Sequence, residues 1–294
     1  MDLLTLGNRI AGGSAWAPAG LYSRVVATAA RVELPSPLRR VAWSAFARAV
    51  GADLDEPEQP LDGYRTLGDF FARRLRAGAR PVASDAELVQ PCDGVVLATG
   101  QCDGQRAVQA KGHDYTLAEL LADDTLAQEL SGGTFATIYL SPRDYHRVHS
   151  PVAGRLVGYR HVPGRLWPVG PRYVEKVPDL YTRNERAIAV IETAFGPVAV
   201  VLVGTVGVGN LWLRWAGRDG ATTEALRGQP GPTDVPCAAP VTLAAGDELG
   251  AFQLGSTVVV VYPPGAVELD ASPGQVVRCG ARAGRRAGGH GGGR

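Results

Sequence analysis

The feature that most constrains the fold is a series of short apolar runs separated by glycine- and proline-containing turns, starting near residue 81. Connections this short suit antiparallel neighbours, because parallel strands need long crossovers. The pattern therefore predicts a mainly antiparallel β core with a sandwich or barrel-like architecture. The predicted strands include residues 94–97, 135–140, 154–157, 187–192, 198–203 and 257–262.

The first 80 residues have the pattern of amphipathic helices instead. Ser36-Pro37 is typical of an N-cap followed by proline in the first turn. Apolar side chains then recur every three or four residues, at Leu38, Ala42, Ala45 and Ala49. Thr66-x-x-Asp69 resembles a capping box and predicts a second helix, and Thr116-x-x-Glu119 predicts one helix within the β region. The fold class is therefore expected to be α+β.

These patterns divide the chain into three parts. Residues 1–80 are expected to form a helical region, whose amphipathic helices either pack on a core or lie at a membrane interface, and residues 81–280 a β-rich domain. Residues 281–294 are rich in glycine and arginine, and we expect a disordered tail there.

Composition excludes several classes of protein. Thirty Lys+Arg against 29 Asp+Glu leave a formal charge of +1, so no nucleic-acid partner is expected. The four cysteines form no CxxC pair, which argues against a zinc finger and favours a reduced, cytosol-facing compartment. The most apolar run, 198–208, is too short to span a bilayer, and no signal peptide is evident. A peripheral membrane protein remains compatible with the sequence.

Three places carry residues that could do chemistry. Asp93 lies in a Pro91-Cys92-Asp93-Gly94 turn, which taken alone is only a turn. His146 and His149 follow a predicted strand and could be metal ligands, a general base, or polar loop residues. A Gly255-Ser256 bond precedes an apolar strand. G-x-S-x-G, Walker A and HExxH motifs are all absent from the sequence.

Together these places resemble the pyruvoyl-dependent, self-cleaving phosphatidylserine decarboxylases. The similar blocks occur in one order along nearly the whole chain. They are Tyr64-Arg65-Thr66-Leu67 with Phe70-Phe71 and Arg73, Gln90 to Gly94, Lys111-Gly112 with Tyr115-Thr116-Leu117, Tyr139 to Pro151, Val162 to Leu166, Thr182 to Arg186, and Leu254-Gly255-Ser256-Thr257.

The resemblance implies a self-made cofactor. Decarboxylating an α-amino acid needs an electron sink, which pyridoxal phosphate usually supplies. In this family Ser256 would attack the Gly255 carbonyl, and elimination and hydrolysis would leave a covalent pyruvoyl group on residue 256. The products are a β chain, 1–255, and an α chain, 256–294. Phosphatidylserine would then form a Schiff base with that group, lose CO2 and leave as phosphatidylethanolamine. Neither pyridoxal phosphate nor a metal is expected.

The resemblance also assigns roles to the other site residues. His149 matches the base that activates Ser256, and Asp93 matches the carboxylate that orients it, as in a Ser-His-Asp triad. His146 is expected to contact substrate and transfer a proton. The implied partners are phosphatidylserine, the membrane surface, the two chains of one proenzyme and a second protomer in a homodimer. The implied location is the cytoplasmic face of the cell membrane, with peripheral attachment. The resemblance thus implies that residues 1–80 are the membrane-associating region and residues 81–280 the catalytic domain.

Four alternatives remain open at this point. Asp93, His146 and His149 could bind zinc in a hydrolase. Asp93, His149 and Ser256 could form an uncleaved serine hydrolase. The β region could be a non-catalytic binding module, or a pyruvoyl decarboxylase acting on a soluble amino acid.

Overall fold

The computed structural model describes Thr28 and residues 30–110, 113–205, 210–226, 228–253 and 255–288. The first 27 residues, with Trp16, lie outside this part of the chain, as do Lys111-Gly112, Leu254 and 289–294. Short helices flank a set of antiparallel sheets, so the predicted α+β class and the β core are confirmed. The helices are α1 (Ser36–Val50), α2 (Leu67–Phe71), α3 (Leu117–Leu121), α4 (Asp124–Glu129), α5 (Pro171–Val174) and α6 (Leu180–Arg183), with 3-10 turns at Leu61–Gly63 and Thr223–Leu226.

The strands follow the predicted runs and extend most of them by a few residues. They are β1 (Leu88–Val89), β2 (Gly94–Gln101), β3 (Arg106–Ala110), β4 (His113–Thr116), β5 (Thr134–Leu140), β6 (Arg147–His149), β7 (Gly154–Val162), β8 (Arg186–Thr193), β9 (Gly196–Val203), β10 (Leu211–Leu213), β11 (Ala221–Thr222), β12 (Thr233–Leu243), β13 (Glu248–Phe252), β14 (Ser256–Tyr262), β15 (Val267–Leu269), β16 (Val276–Val277) and β17 (Arg282–Arg286).

An eight-stranded antiparallel sheet forms the centre, in the order β12-β7-β8-β9-β14-β5-β2-β16. A four-stranded sheet has the order β11-β10-β13-β6, and a three-stranded sheet has the order β1-β17-β15. Strand β14 is buried along its whole length, because both faces of the large sheet are covered. Val258 and Val260 contribute to one hydrophobic cluster, and Val259 and Val261 to the other. Alternation of side chains along a strand explains this division.

Helix α1 packs with a different face from the one that its sequence suggests. The buried residues are Trp43 and Ala47, whereas Leu38, Ala45 and Ala49 are exposed, so most of the apolar stripe seen in the sequence does not pack on the core. Trp43 determines the orientation, because its indole N–H donates to the carbonyl of Tyr64 at 2.9 Å. The helix begins one residue earlier than predicted, with Pro35 as its N-cap.

Both predicted capping boxes are present. In α2 the Thr66 side chain accepts from the Asp69 N–H, and the Asp69 carboxylate accepts from the Thr66 N–H. Thr116 and Glu119 make the equivalent pair of bonds at the start of α3. Each box satisfies N–H groups that the first helical turn leaves without intrahelical partners. None of the helices in the described part of the chain is long and apolar enough to cross a membrane.

The prediction of a disordered C-terminal tail is wrong for its first half. Arg282–Arg286 form β17, which pairs antiparallel with both β1 and β15. Gly284 permits this pairing, since a Cβ there would lie 2.2 Å from the Glu268 carbonyl oxygen. Gly284 is therefore required for close packing between β17 and β15. The prediction of disorder rested on the glycine and arginine content, which does not reveal such pairing. The domain boundary at residue 80 stays a prediction.

Candidate active site

The Ser256 hydroxyl lies in the interior, at the first residue of β14. Ser256 is fully buried and stands opposite Leu140 of β5. On the other side of the strand, Thr257 pairs with Val203 at the end of β9. Two neighbouring strands therefore hold β14 immediately after the Gly255–Ser256 bond, which fixes the serine side chain in a water-poor position.

The nearest base to Ser256 in the described residues is His146, in the loop between β5 and β6. Its Nδ1 lies 3.5 Å from Ser256 Oγ. Its Nε2 lies 3.1 Å from the Ser141 carbonyl oxygen. A carbonyl can only accept, so Nε2 carries the proton and Nδ1 presents a lone pair to the hydroxyl. Ser256 therefore donates towards His146.

The surroundings of His146 keep its imidazole neutral. Burial lowers the pKa of His146 to about 3, the positive charge of Arg73 acts in the same direction, and the bond to the Ser141 carbonyl opposes them. The ring also packs against Phe71, with 4.8 Å between centroids. His146 can accept a proton at neutral pH, but its cation is poorly supported.

Contacts from helix α2 and within the loop fix the position of His146. Ser141 donates to the Asp144 carboxylate from both its N–H and its hydroxyl, each at 2.7 Å. Arg73, just after α2, donates to the carbonyls of Arg143 and Asp144 at 3.1 and 3.3 Å. The α2 region therefore positions the loop that presents His146 to Ser256.

His149, on β6, bonds to other groups. Its Nδ1 donates to the Gly246 carbonyl at 2.7 Å, and its Nε2 lies 3.1 Å from the Tyr145 hydroxyl, which donates to it. Burial lowers the pKa of His149, and the charge of Arg147 acts in the same direction, whereas the Gly246 carbonyl and the carboxylates of Glu248 and Asp93 oppose that shift. The charged form of this histidine is therefore better supported than that of His146.

Asp93 is held by an arginine. Arg80 donates from Nε to Oδ1 at 2.8 Å and from Nη2 to Oδ2 at 2.5 Å. The same guanidinium binds Glu56, with 2.7 Å between Nη1 and Oε1. The N–H of Cys279 donates to Asp93 Oδ1 at 2.9 Å. Asp93 thus connects Arg80, which precedes the Gly255–Ser256 bond in the chain, with Cys279, which follows it.

We expect Arg80→Met to destabilise the protein by about 3–5 kcal/mol, since it leaves the buried Asp93 carboxylate without its cation. The side chains of Arg80 and Asp93 are only 11% and 8% exposed, so solvent cannot replace the missing charge. The partner Glu56 loses its closest cation in the same change. Chemical denaturation followed by tryptophan fluorescence measures the effect.

The matched control is Arg285→Met, which removes an exposed pair with Glu268. That change should cost less than about 1 kcal/mol. Both variants are best compared in a Ser256→Ala background, so that one covalent chain unfolds. Equal losses of unfolding free energy from the two substitutions would mean that Arg80 contributes no more to stability than an exposed ion pair does.

Gly94 has a packing reason to follow Asp93. Its φ is +153°, and a Cβ there would lie 2.3 Å from the Tyr139 carbonyl oxygen. Any other residue would push β2 away from β5, the strand that leads into the loop with His146. The Asp-Gly pair is thus more than a surface turn.

The structure brings together only part of the predicted site. Ser256 and His146 are in contact, whereas the hydrogen bonds of Asp93 and His149 within the described residues go to other groups. The Asp93–His149–Ser256 triad stays a prediction. Sequence reasoning also missed Arg80. An arginine in an arginine-rich chain carries no distinguishing signal, and its partners lie far away in sequence.

The histidines do not form a metal site with Asp93. Within the described residues, no three His, Cys, Asp or Glu side chains are grouped so as to hold a metal ion. The ring nitrogens point instead at carbonyls, a tyrosine hydroxyl and Ser256. The geometry thus gives the zinc-hydrolase alternative no support.

Comparison with known proteins identifies the family. Residues 67–285 match the model of the family described as phosphatidylserine decarboxylase. The chain belongs to the phosphatidylserine decarboxylase family. The matched span includes Asp93, His146, His149 and Ser256.

Curated relatives of this phosphatidylserine decarboxylase family member are similar over nearly their whole length. A protein of Anaeromyxobacter sp. (strain K) is 44% identical over 268 residues, which cover 90% of this chain and 93% of the relative. One of Myxococcus xanthus (strain DK1622) is 42% identical over 270 residues, 91% and 94% of the two chains. One of Bordetella petrii is 43% identical over 261 residues, 87% and 89%.

All three relatives are named phosphatidylserine decarboxylase proenzyme. The predicted family is confirmed, and with it the classification as a decarboxylating lyase that is made as a self-cleaving zymogen. This family membership also sets aside the non-catalytic binding module and the uncleaved serine hydrolase.

Proposed function

We propose that this protein converts phosphatidylserine to phosphatidylethanolamine and CO2 with a pyruvoyl group made from its own Ser256. The observation that carries the proposal is the buried Ser256 hydroxyl, which lies beside the Gly255–Ser256 bond and 3.5 Å from a neutral imidazole. Its occurrence in a chain similar to named proenzymes supports self-cleavage at this bond.

The residues at this position fit a pyruvoyl group. Residue 256 would carry the group covalently, and Gly255 adds no side chain to the site. A Cβ on Gly255 would be no closer than 3.9 Å to any neighbour, at the Leu140 carbonyl oxygen and Thr205 Cγ2, so the scissile segment is not tightly enclosed. When present, the group supplies a carbonyl that accepts the electron pair released with CO2.

The chain's own residues contribute proton transfer and exclusion of water. His146 Nδ1 faces residue 256 and is the group placed to hold a proton beside the reacting carbon. Burial by Phe71 and by strands β5 and β9 keeps this position dry, which strengthens electrostatic interactions there. Pairing of β14 on both sides would keep the α chain in place after cleavage.

For self-cleavage we propose that His149 is the base and Asp93 its supporting carboxylate. The proximity of Asp93 and Glu248, whose charges favour a protonated His149, supports this assignment. Transfer from Ser256 requires Nε2 of His149 to exchange Tyr145 for the serine hydroxyl. His146 is closer, but burial and Arg73 disfavour the cation that a general base must become.

Peripheral attachment to the cytoplasmic face of the membrane is proposed through helix α1. The side chains of Leu38 and Val41 are 56% and 70% exposed, and exposed Arg40 and Arg48 lie on the same helix. Exposed apolar side chains with arginines beside them suit the boundary between acyl chains and headgroups. The homodimer implied by the resemblance stays a prediction.

We expect Val41→Glu to weaken binding to phospholipid vesicles about tenfold or more, because it places a charge among the exposed apolar side chains of α1. The melting temperature should change little, since Val41 makes no core contact at 70% exposure. Vesicle co-sedimentation measures the binding. The control is Arg76→Glu, which changes the charge at an exposed position outside α1. Equal losses from Val41→Glu and Arg76→Glu would argue against docking through α1.

The direct test of the activity is release of labelled CO2 from phosphatidylserine that is labelled in its serine carboxyl. The proposal expects phosphatidylethanolamine to form in equal amount. Free serine serves as the second substrate, and it should give no CO2. Turnover of free serine with no turnover of the lipid would instead support the soluble amino-acid decarboxylase.

A further inference from the structure

A tryptophan–arginine patch lies on and directly after β10, in the four-stranded sheet that also carries His149. We define the patch as Trp212, Arg214 and Trp215, all half-buried. The Arg214 guanidinium carbon lies 4.8 Å from the centre of the Trp215 ring and 5.8 Å from that of Trp212. Two indoles therefore hold one cation in a defined place.

Arg214 differs from most arginines on this protein in its partners. Within the described part of the chain, its guanidinium makes no hydrogen bond and no ion pair with a carboxylate. By contrast, Arg155 pairs with Glu192, and Arg285 pairs with Glu268. The two indole faces leave the N–H edges of Arg214 free to bind oxygen atoms of an anion.

The pairing of strands connects the patch to the active-site loop. Ala251 of β13 stands between Trp212 of β10 and Arg147 of β6. The small alanine lets the two long side chains meet above it, with 5.7 Å between the Arg147 guanidinium carbon and the Trp212 ring centre. Arg147 directly follows His146 in the chain, so the patch contacts a residue that adjoins the candidate site.

The two tryptophans give this surface the character of a membrane boundary. The Trp215 indole N–H is already satisfied by the Glu248 carbonyl at 2.9 Å, which anchors the ring. Half-buried indoles prefer the headgroup level of a bilayer, where one part of the ring is apolar and another is wet. The guanidinium fixed between them has no paired carboxylate within the described residues, so it is available to bind the oxygen atoms of a phosphodiester.

We propose that Trp212, Arg214 and Trp215 form a second membrane contact, in which Arg214 binds the phosphate of an anionic phospholipid headgroup. This contact rests on the membrane association proposed above and extends it from helix α1 to the sheet of the active site. It would place the bilayer surface next to the loop that carries His146. The partner of this patch is an anionic lipid surface.

The test uses the full-length Ser256→Ala proenzyme and vesicles that lack substrate. Binding to phosphatidylcholine vesicles is compared with binding to vesicles in which phosphatidylglycerol replaces part of that lipid. Arg214→Gln should weaken binding to the anionic vesicles about fivefold, the effect expected of one cation near a charged surface. Arg214→Lys should keep most of the affinity, because it keeps the charge.

Arg155→Gln is the matched control, since Arg155 is already paired with Glu192 and lies on β7, in a different sheet from β10. It should bind like the parent protein. Unchanged binding of Arg214→Gln to anionic vesicles would overturn the proposal, as would an equal loss on both kinds of vesicle at an unchanged melting temperature. Because no lipid in the assay is decarboxylated, the vesicle-binding result can be interpreted even if the proposed decarboxylase activity is absent.

Discussion

Replacing Ser256 with alanine is expected to leave one uncleaved chain with no measurable decarboxylation of phosphatidylserine. The hydroxyl is the only group at this position that can attack the Gly255 carbonyl, and no electron sink forms without it. Because Ser256 is fully buried and its Oγ contacts only His146 among the described residues, the substitution should barely change stability. Denaturing gel electrophoresis and the labelled-CO2 assay measure the two losses.

Ser150→Ala is the matched control for this prediction. Ser150 is also fully buried, but its hydroxyl donates to the Val152 carbonyl at 2.6 Å. Its loss should cost about 1 kcal/mol and leave cleavage intact. A Ser256→Ala protein that still releases CO2 would contradict the proposed origin of the cofactor.

Alanine substitutions of the two histidines are expected to block different stages, one the self-cleavage and the other the decarboxylation. His149→Ala should leave mostly uncleaved chain, because it removes the imidazole whose charged form Asp93 and Glu248 support. His146→Ala should still cleave, and then turn over about 10²–10⁴-fold more slowly, the usual effect of losing a positioned proton-transfer group. Time courses of chain cleavage, followed by kcat measurements on the cleaved fraction, separate these effects.

The contact between His146 and Ser256 makes the opposite outcome meaningful. If His146→Ala stays uncleaved while His149→Ala matures normally, the imidazole at 3.5 Å is the base for cleavage. Asp93→Asn is the companion variant, and it should follow His149→Ala. Normal maturation of Asp93→Asn would leave that carboxylate only its structural contacts with Arg80 and Cys279.

Strand identity was predictable because it depends on local composition. The run from Ser256 to Tyr262 is apolar and β-branched, and a strand buried on both faces needs that pattern. The same logic failed for α1, where Trp43 binds a carbonyl distant in sequence. It also failed for Arg282–Arg286, where pairing with two strands overrides a composition typical of disorder.

The site was predictable as a set of residues but not as a set of contacts. Asp93, His146, His149 and Ser256 were recognisable through resemblance, and they lie within the span that matches the family. Side-chain pairing depends on rotamers and on long-range neighbours such as Arg80 and Arg73, which sequence does not supply. The hydrogen bond of Ser256 to His146, with His149 bonded elsewhere, is therefore information that only the structure adds.

The most direct test of the central claim is an intact mass spectrum of the purified protein under denaturing conditions. The account predicts two polypeptides that divide between Gly255 and Ser256, with the shorter one lighter by one ammonia than its unmodified sequence. A single unmodified chain of 30.8 kDa, persisting after incubation with phospholipid, would contradict it.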